Sequence, residues 1–127
     1  MEARVARDLF WVGSCQKDFG AFPEKVKDNI MAALYLALDG QKATNVKPLQ
    51  GFSGASVLEI VERDTSGTYR CIYTVKLQTA IYILHAFQKK SHQGISTPQE
   101  HIDMIKRRLK WANEIDAEIT KRKKRGK

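Results

Sequence analysis

Residues 57–88 read VLEIVERDTSGTYRCIYTVKLQTAIYILHAFQ, and this stretch decides the fold. It contains three runs rich in Val, Ile, Tyr and Phe, which are residues that β-strands favour. The runs cover residues 57–62, 68–76 and 80–88. The segments between them are short enough to be hairpin connections. The stretch therefore predicts an antiparallel meander of three strands.

The chain before the meander predicts one strand and two helices. Residues 9–12 (LFWV) form a short apolar run that is typical of a buried strand. Residues 14–20 predict a short helix capped by Ser14, and residues 23–40 predict a longer one with apolar positions at three- and four-residue steps. Residues 41–56 contain proline and glycine, which predicts a loop.

The chain after the meander predicts a final helix. Thr97, Pro98 and Glu100 provide a capping residue, a first helical residue and the acid of a capping box. The order of elements predicts an α+β domain, in which a small antiparallel sheet carries helices packed on one face. We expect a single domain over residues 1–120 and a basic C-terminal tail over residues 121–127.

The composition is that of a globular domain with an excess of positive charge. The 127 residues include 22 Lys and Arg against 14 Asp and Glu, a formal net charge of +8. A hydrophobic content of 43% excludes wholesale disorder, and no apolar run approaches the roughly 18 residues of a membrane span. Cys15 and Cys71 lack the spacing of a disulfide framework, so we expect a reduced, cytoplasmic protein without a membrane segment.

The positive charge is concentrated in two places. Residues 106–127 hold 10 Lys and Arg and 3 Asp and Glu, a net charge of +7, and no acidic residue lies between Asp64 and Glu100. That second interval contains four basic residues: Arg70, Lys76, Lys89 and Lys90. A basic surface attracts nucleic acid, but a lysine run is equally typical of a solvated chain end. Both interpretations stay open for residues 121–127.

The expected strand register places a charged pair on one face of the meander. If residues 64–67 close the first hairpin, Val61 lies opposite Arg70, and Glu59 lies diagonally from Arg70 on the same face. The other face is more apolar and is expected to meet the helices; it carries Tyr69, Cys71, Tyr73 and Val75. Arg70 is therefore predicted on an open face, either in a surface salt bridge with Glu59 or in a cationic groove for a phosphodiester.

The sequence lacks familiar motifs for nucleotide and metal binding. Residues 51–54 (GFSG) have neither the lysine of a phosphate-binding loop nor the spacing of a dinucleotide-binding turn. The three histidines are not paired with cysteines at zinc spacing, so we expect no metal. His85 is expected to be a packing residue and His101 a surface or packing residue, whereas His92 lies in a basic segment and is a candidate for acid–base chemistry.

Several ordered motifs along the chain carry a family resemblance. They are residues 10–14 (FWVGS), 21–23 (AFP), 47–52 (KPLQGF) leading into 57–60 (VLEI), 68–70 (TYR) with 73–75 (YTV), and 85–91 (HAFQKKS) followed by 97–98 (TP). Over roughly residues 8–112 the chain resembles the phage-derived branch of the RelE/HigB-like toxins. The resemblance implies a RelE-like toxin fold and a toxin that belongs to a type II toxin–antitoxin pair.

The resemblance also implies an enzyme, namely a metal-independent mRNA endonuclease that acts on the ribosome. In such a reaction the ribose 2′-hydroxyl attacks the neighbouring phosphate and leaves a 2′,3′-cyclic phosphate, which requires a base, a cation and an acid. The implied partners are mRNA, the ribosome and a separately encoded antitoxin, expected to be a helix-turn-helix protein. No cofactor is implied.

Positions that match the family motifs give the candidate site residues. Arg70 is expected to stabilise the charge of the transition state, and Lys89 and Lys90 to hold phosphate or tune a proton. Glu59 is expected to act as the base or to orient Arg70, with His92 as the local alternative for acid–base work. The candidate RNA-binding residues are Lys76, Lys106 and Arg107.

The end of the chain departs from the family pattern. Many relatives place a Tyr or His near the C-terminus as a catalytic partner, and no such residue follows Trp111. The general acid and base are therefore unassigned. Two other classes of protein fit the sequence: a non-enzymatic phage-type RNA- or DNA-binding protein, and a structural or interaction protein with the same α+β core. The sequence does not indicate an oligomeric state.

Overall fold

A computed structural model describes residues 8–52, 56–89 and 97–126. Within these ranges the elements are β1 (Asp8–Trp11), α1 (Cys15–Gly20), α2 (Glu24–Leu38), β2 (Val46–Pro48), β3 (Leu58–Asp64), β4 (Gly67–Thr74), β5 (Ala80–Lys89) and α3 (Gln99–Arg125). The strands form one sheet in the order β1-β5-β4-β3-β2. The predicted α+β class is confirmed.

The predicted meander forms, but the sheet as a whole is mixed. Strands β3, β4 and β5 pair antiparallel in sequence order. Strand β1 pairs with β5 in the parallel direction, with Asp8 beside Ala80 and Trp11 beside Ile83. This corrects the expectation of a purely antiparallel sheet. The meander ends at β5, whose outer edge would present N–H and C=O groups without sheet partners, and β1 provides those partners.

The segment predicted as a loop, residues 41–56, contains a short edge strand. Strand β2 pairs antiparallel with β3 and places Lys47 opposite Glu59. Pro48 ends the strand, which an edge strand tolerates because one side of its backbone needs no sheet partner. A strand of three residues that includes a proline has too little alternation to be predicted from its pattern.

The register of the first hairpin agrees with the prediction. Val61 lies opposite Arg70, and Arg63 lies opposite Thr68. Because every second residue of a strand shares a face, Glu59 lies diagonally from Arg70 on the same face, as expected.

A bulge interrupts the pairing of β4 with β5. His85 lies opposite Ile72, whereas Ile83 lies opposite the next residue, Tyr73. Leu84 is therefore the extra residue of the bulge. A bulge can turn two consecutive side chains to one face, and Leu84 packs in the same apolar cluster as Ile72. Leu84 and His85 thus both lie on the Ile72 face.

Helices cover both faces of the sheet. One apolar cluster packs α1 and α2 against the face that carries Cys71, and a second packs α3 against the face that carries Ile72. Since neighbouring strand residues point to opposite faces, α3 lies across the sheet from α2. This corrects the expectation of helices on one face only. Residues 80–87 are buried without alternation, as is typical of a strand covered on both faces.

Helix α3 continues through most of the predicted basic tail and ends at Arg125. Asp116 anchors it to the connection between β4 and β5. Its carboxylate accepts hydrogen bonds from the backbone N–H groups of Gln78 (3.1 Å) and Thr79 (2.7 Å). These bonds satisfy backbone groups that a tight connection would otherwise leave without partners. Residues 121–125 extend beyond this anchor as exposed helix.

Candidate functional site

A row of opposed residues crosses four strands on the sheet face that α3 covers. It consists of Lys47 on β2, Glu59 on β3, Ile72 on β4 and His85 on β5. Opposed residues in antiparallel strands share a face. Ile72 therefore separates a charged pair, Lys47 and Glu59, from His85 on its other side.

Glu59 and Arg70 form a buried ion pair. The Nη1 atom of Arg70 donates to Oε2 of Glu59 over 2.9 Å, and the two side chains are only 3% and 5% exposed. The prediction that Arg70 lies on an open face is therefore corrected, because α3 covers that face. The other carboxylate oxygen of Glu59 lies 3.5 Å from Nζ of Lys47, which is half exposed. Glu59 thus connects a buried cation to a solvent-accessible one.

A groove opens beside this ion pair, between β2 and the first turns of α3. It has a volume of about 470 Å³ and is lined by residues 47–51 on one side. Glu59 contributes from the sheet, and the other wall consists of Thr97, just before α3, and of Gln99, Ile102 and Lys106 on the helix. The last three of these residues recur at three- and four-residue steps, so they share one helix face. The β2–α3 groove therefore has a lysine on each wall, which suits an anion.

Two histidines, an arginine and a phenylalanine form a second cluster on the other side of Ile72. Nη1 of Arg108 lies 3.2 Å from Nδ1 of His85, and Nε2 of His85 lies 2.8 Å from Nδ1 of His101. Phe87 stacks on both imidazoles, with ring centroids 5.1 Å from His85 and 4.0 Å from His101. These four residues are named the His–Arg cluster.

The surroundings of the His–Arg cluster favour neutral histidines. Burial lowers the pKa of His85 to about 4, and the neighbouring His101 and Arg108 act in the same direction. Burial also lowers the pKa of His101 below its usual value. These shifts favour the neutral form of both rings.

Arg108 is fixed by contacts with β5 and with the turn that follows β1. Nη1 also donates to the backbone carbonyl of Leu84 (3.0 Å), and Nη2 donates to Oγ of Ser14 (3.0 Å). Ser14, the predicted cap of α1, makes no side-chain cap bond and donates to the Asp18 carboxylate (3.1 Å).

Gly13 has φ +61°, and a Cβ there would lie 3.1 Å from Nε of Arg108. Both its backbone conformation and this contact call for glycine.

The structure brings several of the predicted site residues together. Glu59 and Lys106 line the β2–α3 groove, and Arg70 is bound to Glu59. Lys89 lies opposite Thr68 at the end of β5 and therefore on the same sheet face as Arg70. Lys89 thus shares a sheet face with Glu59 and Arg70 but is not among the residues that line the groove.

Other predicted residues lie apart from the groove or outside the described ranges. Lys76 is exposed beyond the end of β4, and Arg107 is exposed on α3 beside Lys106. Lys90 and His92 lie outside the described residues.

Two residues of the site, Lys47 and Arg108, are not predicted from the sequence. Arg108 has a recognisable signal, because it follows Ile105 by three residues and precedes Ala112 by four, on the buried stripe of α3. A charged residue at such a position needs polar partners, and these are the bonds described above. Lys47 begins the 47–52 motif of the family resemblance, but its segment resembles a loop, so no pattern predicted its position beside Glu59. His85 is packed, as predicted, but it also belongs to a hydrogen-bonded chain.

Two further features bear on the class of site. Within residues 8–52, 56–89 and 97–126, no three His, Cys, Asp or Glu side chains gather as a metal site requires. No helix of those ranges has both the length and the apolar character needed to cross a membrane.

Comparisons with known proteins identify the family. Curated proteins give no significant match. Among solved structures, the chain is similar to a chain in the crystal structure of the toxin–antitoxin complex RelBE2 from Mycobacterium tuberculosis, with 19% identity and a TM-score of 0.45 over 67% of this chain and 100% of that chain. A family model described as phage-derived protein Gp49-like (DUF891) matches residues 17–110, which is most of the chain. The protein belongs to this Gp49-like family of phage-derived proteins.

Proposed function

We propose that the protein is the toxin of a type II toxin–antitoxin pair and that it cleaves mRNA on the ribosome. Membership of a phage-derived family and the motif resemblance to RelE/HigB-like toxins support the toxin class. The observation that carries the proposed RNA chemistry is the β2–α3 groove, where Lys47 and Lys106 face one space from opposite walls beside Glu59.

The lining of the groove suits a short piece of single-stranded RNA. A lysine on each wall can hold a phosphodiester group by charge, which is the main source of affinity for a nucleic-acid backbone. The amides of Gln50 and Gln99 offer donors and acceptors for a base edge, and Ile102 offers an apolar contact. A volume of about 470 Å³ is within the range of small-ligand sites.

The proposed reaction needs no group beyond the RNA and the protein side chains. The 2′ oxygen forms a bond to phosphorus while the bond from phosphorus to the 5′ oxygen breaks. A base takes the 2′ proton and an acid supplies a proton to the 5′ oxygen. Glu59 and Lys106 both line the groove, and they are our candidates for the base and for the cation that stabilises charge on the phosphate.

Arg70 has a different role from the one expected of an exposed cation. Unlike Glu59, it is not among the residues that line the β2–α3 groove, so we propose that it acts through Glu59 as a positioning residue. Lys89, at the end of β5, remains a proposed phosphate-binding residue. Lys90 and His92 follow it in the sequence and remain proposed phosphate-binding and acid–base residues.

The proposed partners follow from the same assignment. A separately encoded antitoxin, expected to be a helix-turn-helix protein, would neutralise the toxin in the cytoplasm. Lys76, Arg107 and the exposed basic end of α3 are proposed to contact ribosomal or messenger RNA electrostatically.

The test is cleavage of a defined mRNA by purified protein, with and without translating ribosomes. Lys106→Ala removes a groove lysine, and Lys110→Ala is its matched control because it removes another lysine one turn further along α3, outside the groove lining. We expect ribosome-dependent cuts with 2′,3′-cyclic phosphate ends from the wild type and the control. We expect Lys106→Ala to cut on the order of tenfold more slowly, as the loss of a charge-assisted contact implies.

Other outcomes would change the assignment. Cuts without ribosomes would indicate a free ribonuclease. RNA that is retained by the protein but never cut would favour the non-enzymatic RNA-binding class. Equal loss of cleavage in both lysine variants would contradict the placement of the site in the β2–α3 groove.

A further inference from the structure

The hydrogen bonds of the His–Arg cluster have a single direction. A guanidinium group only donates, so Nδ1 of His85 must accept from Arg108. A neutral imidazole has one donor and one acceptor, so the proton of His85 is on Nε2. That N–H donates to Nδ1 of His101 over 2.8 Å. The proton of a neutral His101 is therefore on its own Nε2.

The Nε2–H group of His101 has no hydrogen-bond partner among residues 8–52, 56–89 and 97–126, and the side chain is partly exposed. The ring cannot rotate freely, because it stacks on Phe87 with an interplanar angle of 13° while its Nδ1 is bonded to His85. His101 thus presents one fixed, uncharged donor.

This donor lies close to the residues of the proposed RNA site. His101 immediately precedes Ile102, which lines the β2–α3 groove. Its stacking partner Phe87 lies opposite Arg70, and Lys89 follows two residues later on the same sheet face. His101 is thus connected through Phe87 to the strand positions of Arg70 and Lys89, and RNA that leaves the groove over this part of the sheet face would reach it.

We propose that His101 binds a phosphate oxygen of the RNA through its Nε2–H group, and that His85 and Arg108 are positioning residues that fix its tautomer. The identity of the ligand rests on the proposed function, but the tautomer does not. In this role His101 transfers no proton. Its Nδ1 already accepts from His85, so it is a donor to the substrate and not the missing general base.

The first experiment reads the tautomer directly. Two-bond ¹⁵N–¹H correlation spectra of ¹⁵N-histidine-labelled protein at pH 7.5 distinguish the Nε2–H from the Nδ1–H form. The His92→Gln variant assigns the third histidine of the chain. We expect Nε2–H for both His85 and His101. A proton on Nδ1 of His101, or a charged ring, would overturn the proposal that His85 and Arg108 fix the tautomer of His101.

The second experiment compares two amide substitutions at one position. His101→Asn keeps an acceptor near Nδ1 for His85 but removes the outward donor, whereas His101→Gln restores a donor near Nε2. The probe is a fluorescent 12-nucleotide 2′-O-methyl RNA, which has no 2′-hydroxyl to react. We expect His101→Asn to raise Kd about tenfold and His101→Gln to raise it about threefold or less.

The outcomes separate this inference from the proposed function. If the wild type binds the probe and His101→Asn and His101→Gln have the same Kd as each other, the phosphate contact is wrong but the RNA-binding proposal stands. If the wild type does not bind the probe, the proposed contact with free RNA is overturned, while ribosome-dependent cleavage still decides the proposed function and the spectra still decide the tautomer. A His101 Nε2 resonance in the wild type that does not shift when the probe saturates the protein would also overturn the contact, whether or not the variants fold.

Discussion

Arg70 and Glu59 are bound to each other in the interior, with Nη1 and Oε2 separated by 2.9 Å and both side chains nearly inaccessible. Removing one partner of such a pair leaves a buried charge without compensation. We therefore expect Arg70→Ala to lower the free energy of unfolding by about 3–5 kcal/mol, measured in urea. A loss of toxicity in this variant would report on folding as well as on chemistry.

A double variant separates the two effects. In Arg70→Met/Glu59→Leu both charges are replaced by apolar groups, so we expect a stability closer to the wild type than that of Arg70→Ala. Lys47→Met removes the exposed partner of Glu59 and is expected to cost less than about 1 kcal/mol. If Arg70→Ala unfolds at the same urea concentration as the wild type, the buried pair contributes nothing and our account of it is wrong.

The pairing of Glu59 with Arg70 could be predicted from the sequence, whereas their burial could not. A short hairpin connection sets the register of β3 against β4, and the register places the two residues diagonally on one face. Whether that face is open depends on where a helix about 30 residues later in the chain comes to lie, and no local pattern near residue 70 contains this information. The unbroken apolar run of β5 is the one signal that both sheet faces are covered.

The second part of the candidate site is still harder to predict. His85 and His101 come from a strand and a helix, and they meet because a bulge turns His85 to the α3 face. A bulge is one extra residue in a ladder and has no reliable signature in the sequence alone. Arg108 could have been recognised by its place in the apolar stripe of α3. The short strand that positions Lys47 could not, because Pro48 makes its sequence resemble a loop.

The depressed pKa of His85 makes the fold sensitive to mild acid. Its pKa is about 4 in the folded protein against an ordinary value of 6.5, mainly because of burial, with His101, Arg108 and Asp18 as the charged or titratable neighbours. Between these two pH values the unfolded chain binds a proton at His85 and the folded chain does not. The stabilisation from His85 is therefore complete above pH 6.5 and is lost as the pH falls towards 4.

The measurement compares unfolding at pH 7 and pH 4.5 in the wild type and in His85→Gln. Acid-sensitive groups outside the His–Arg cluster are the same in both proteins, so their effects cancel. We expect the wild type to lose roughly 2 kcal/mol more than the variant over this interval. Equal losses would show that His85 titrates as it does in the unfolded chain.

Gly13 provides a separate test of the His–Arg cluster. Gly13→Ala adds a methyl group 3.1 Å from Nε of Arg108 and also places alanine at a positive φ of +61°. Gly40→Ala is the matched control, because Gly40 has φ +77° and open space around the position of its missing Cβ. Both variants carry the backbone strain, and only the first disturbs Arg108.

We expect Gly13→Ala to be less stable than Gly40→Ala by about 1–2 kcal/mol, which is typical of overpacking beside a fixed side chain. The histidine spectra of Gly13→Ala should also show that His85 and His101 no longer keep their fixed tautomers, whereas those of Gly40→Ala should match the wild type. Identical stabilities and spectra would mean that Arg108 can move aside without cost.

The basic end of α3 is expected to add affinity for RNA without taking part in the reaction. Residues 121–127 include six Lys and Arg, and they lie beyond Asp116, whose hydrogen bonds anchor the helix to the sheet. Deleting them should leave the fold intact and weaken RNA binding most at low salt. The plot of log K against log salt has a negative slope. Its magnitude should decrease by about 0.7 for each RNA phosphate that the shortened protein no longer neutralises, because fewer counterions are released.

The matched control for the loss of helix length is a variant that changes only the charge. In it, glutamine replaces each Lys and Arg of residues 121–127. The same fall in slope for the deletion and the glutamine variant would assign the effect to charge, and both should cleave normally at saturating RNA. If the deletion abolishes cleavage at saturating RNA while the glutamine variant does not, the helix end supports the active conformation. In that case the boundary between domain and tail at residue 120 would have to move towards the C-terminus.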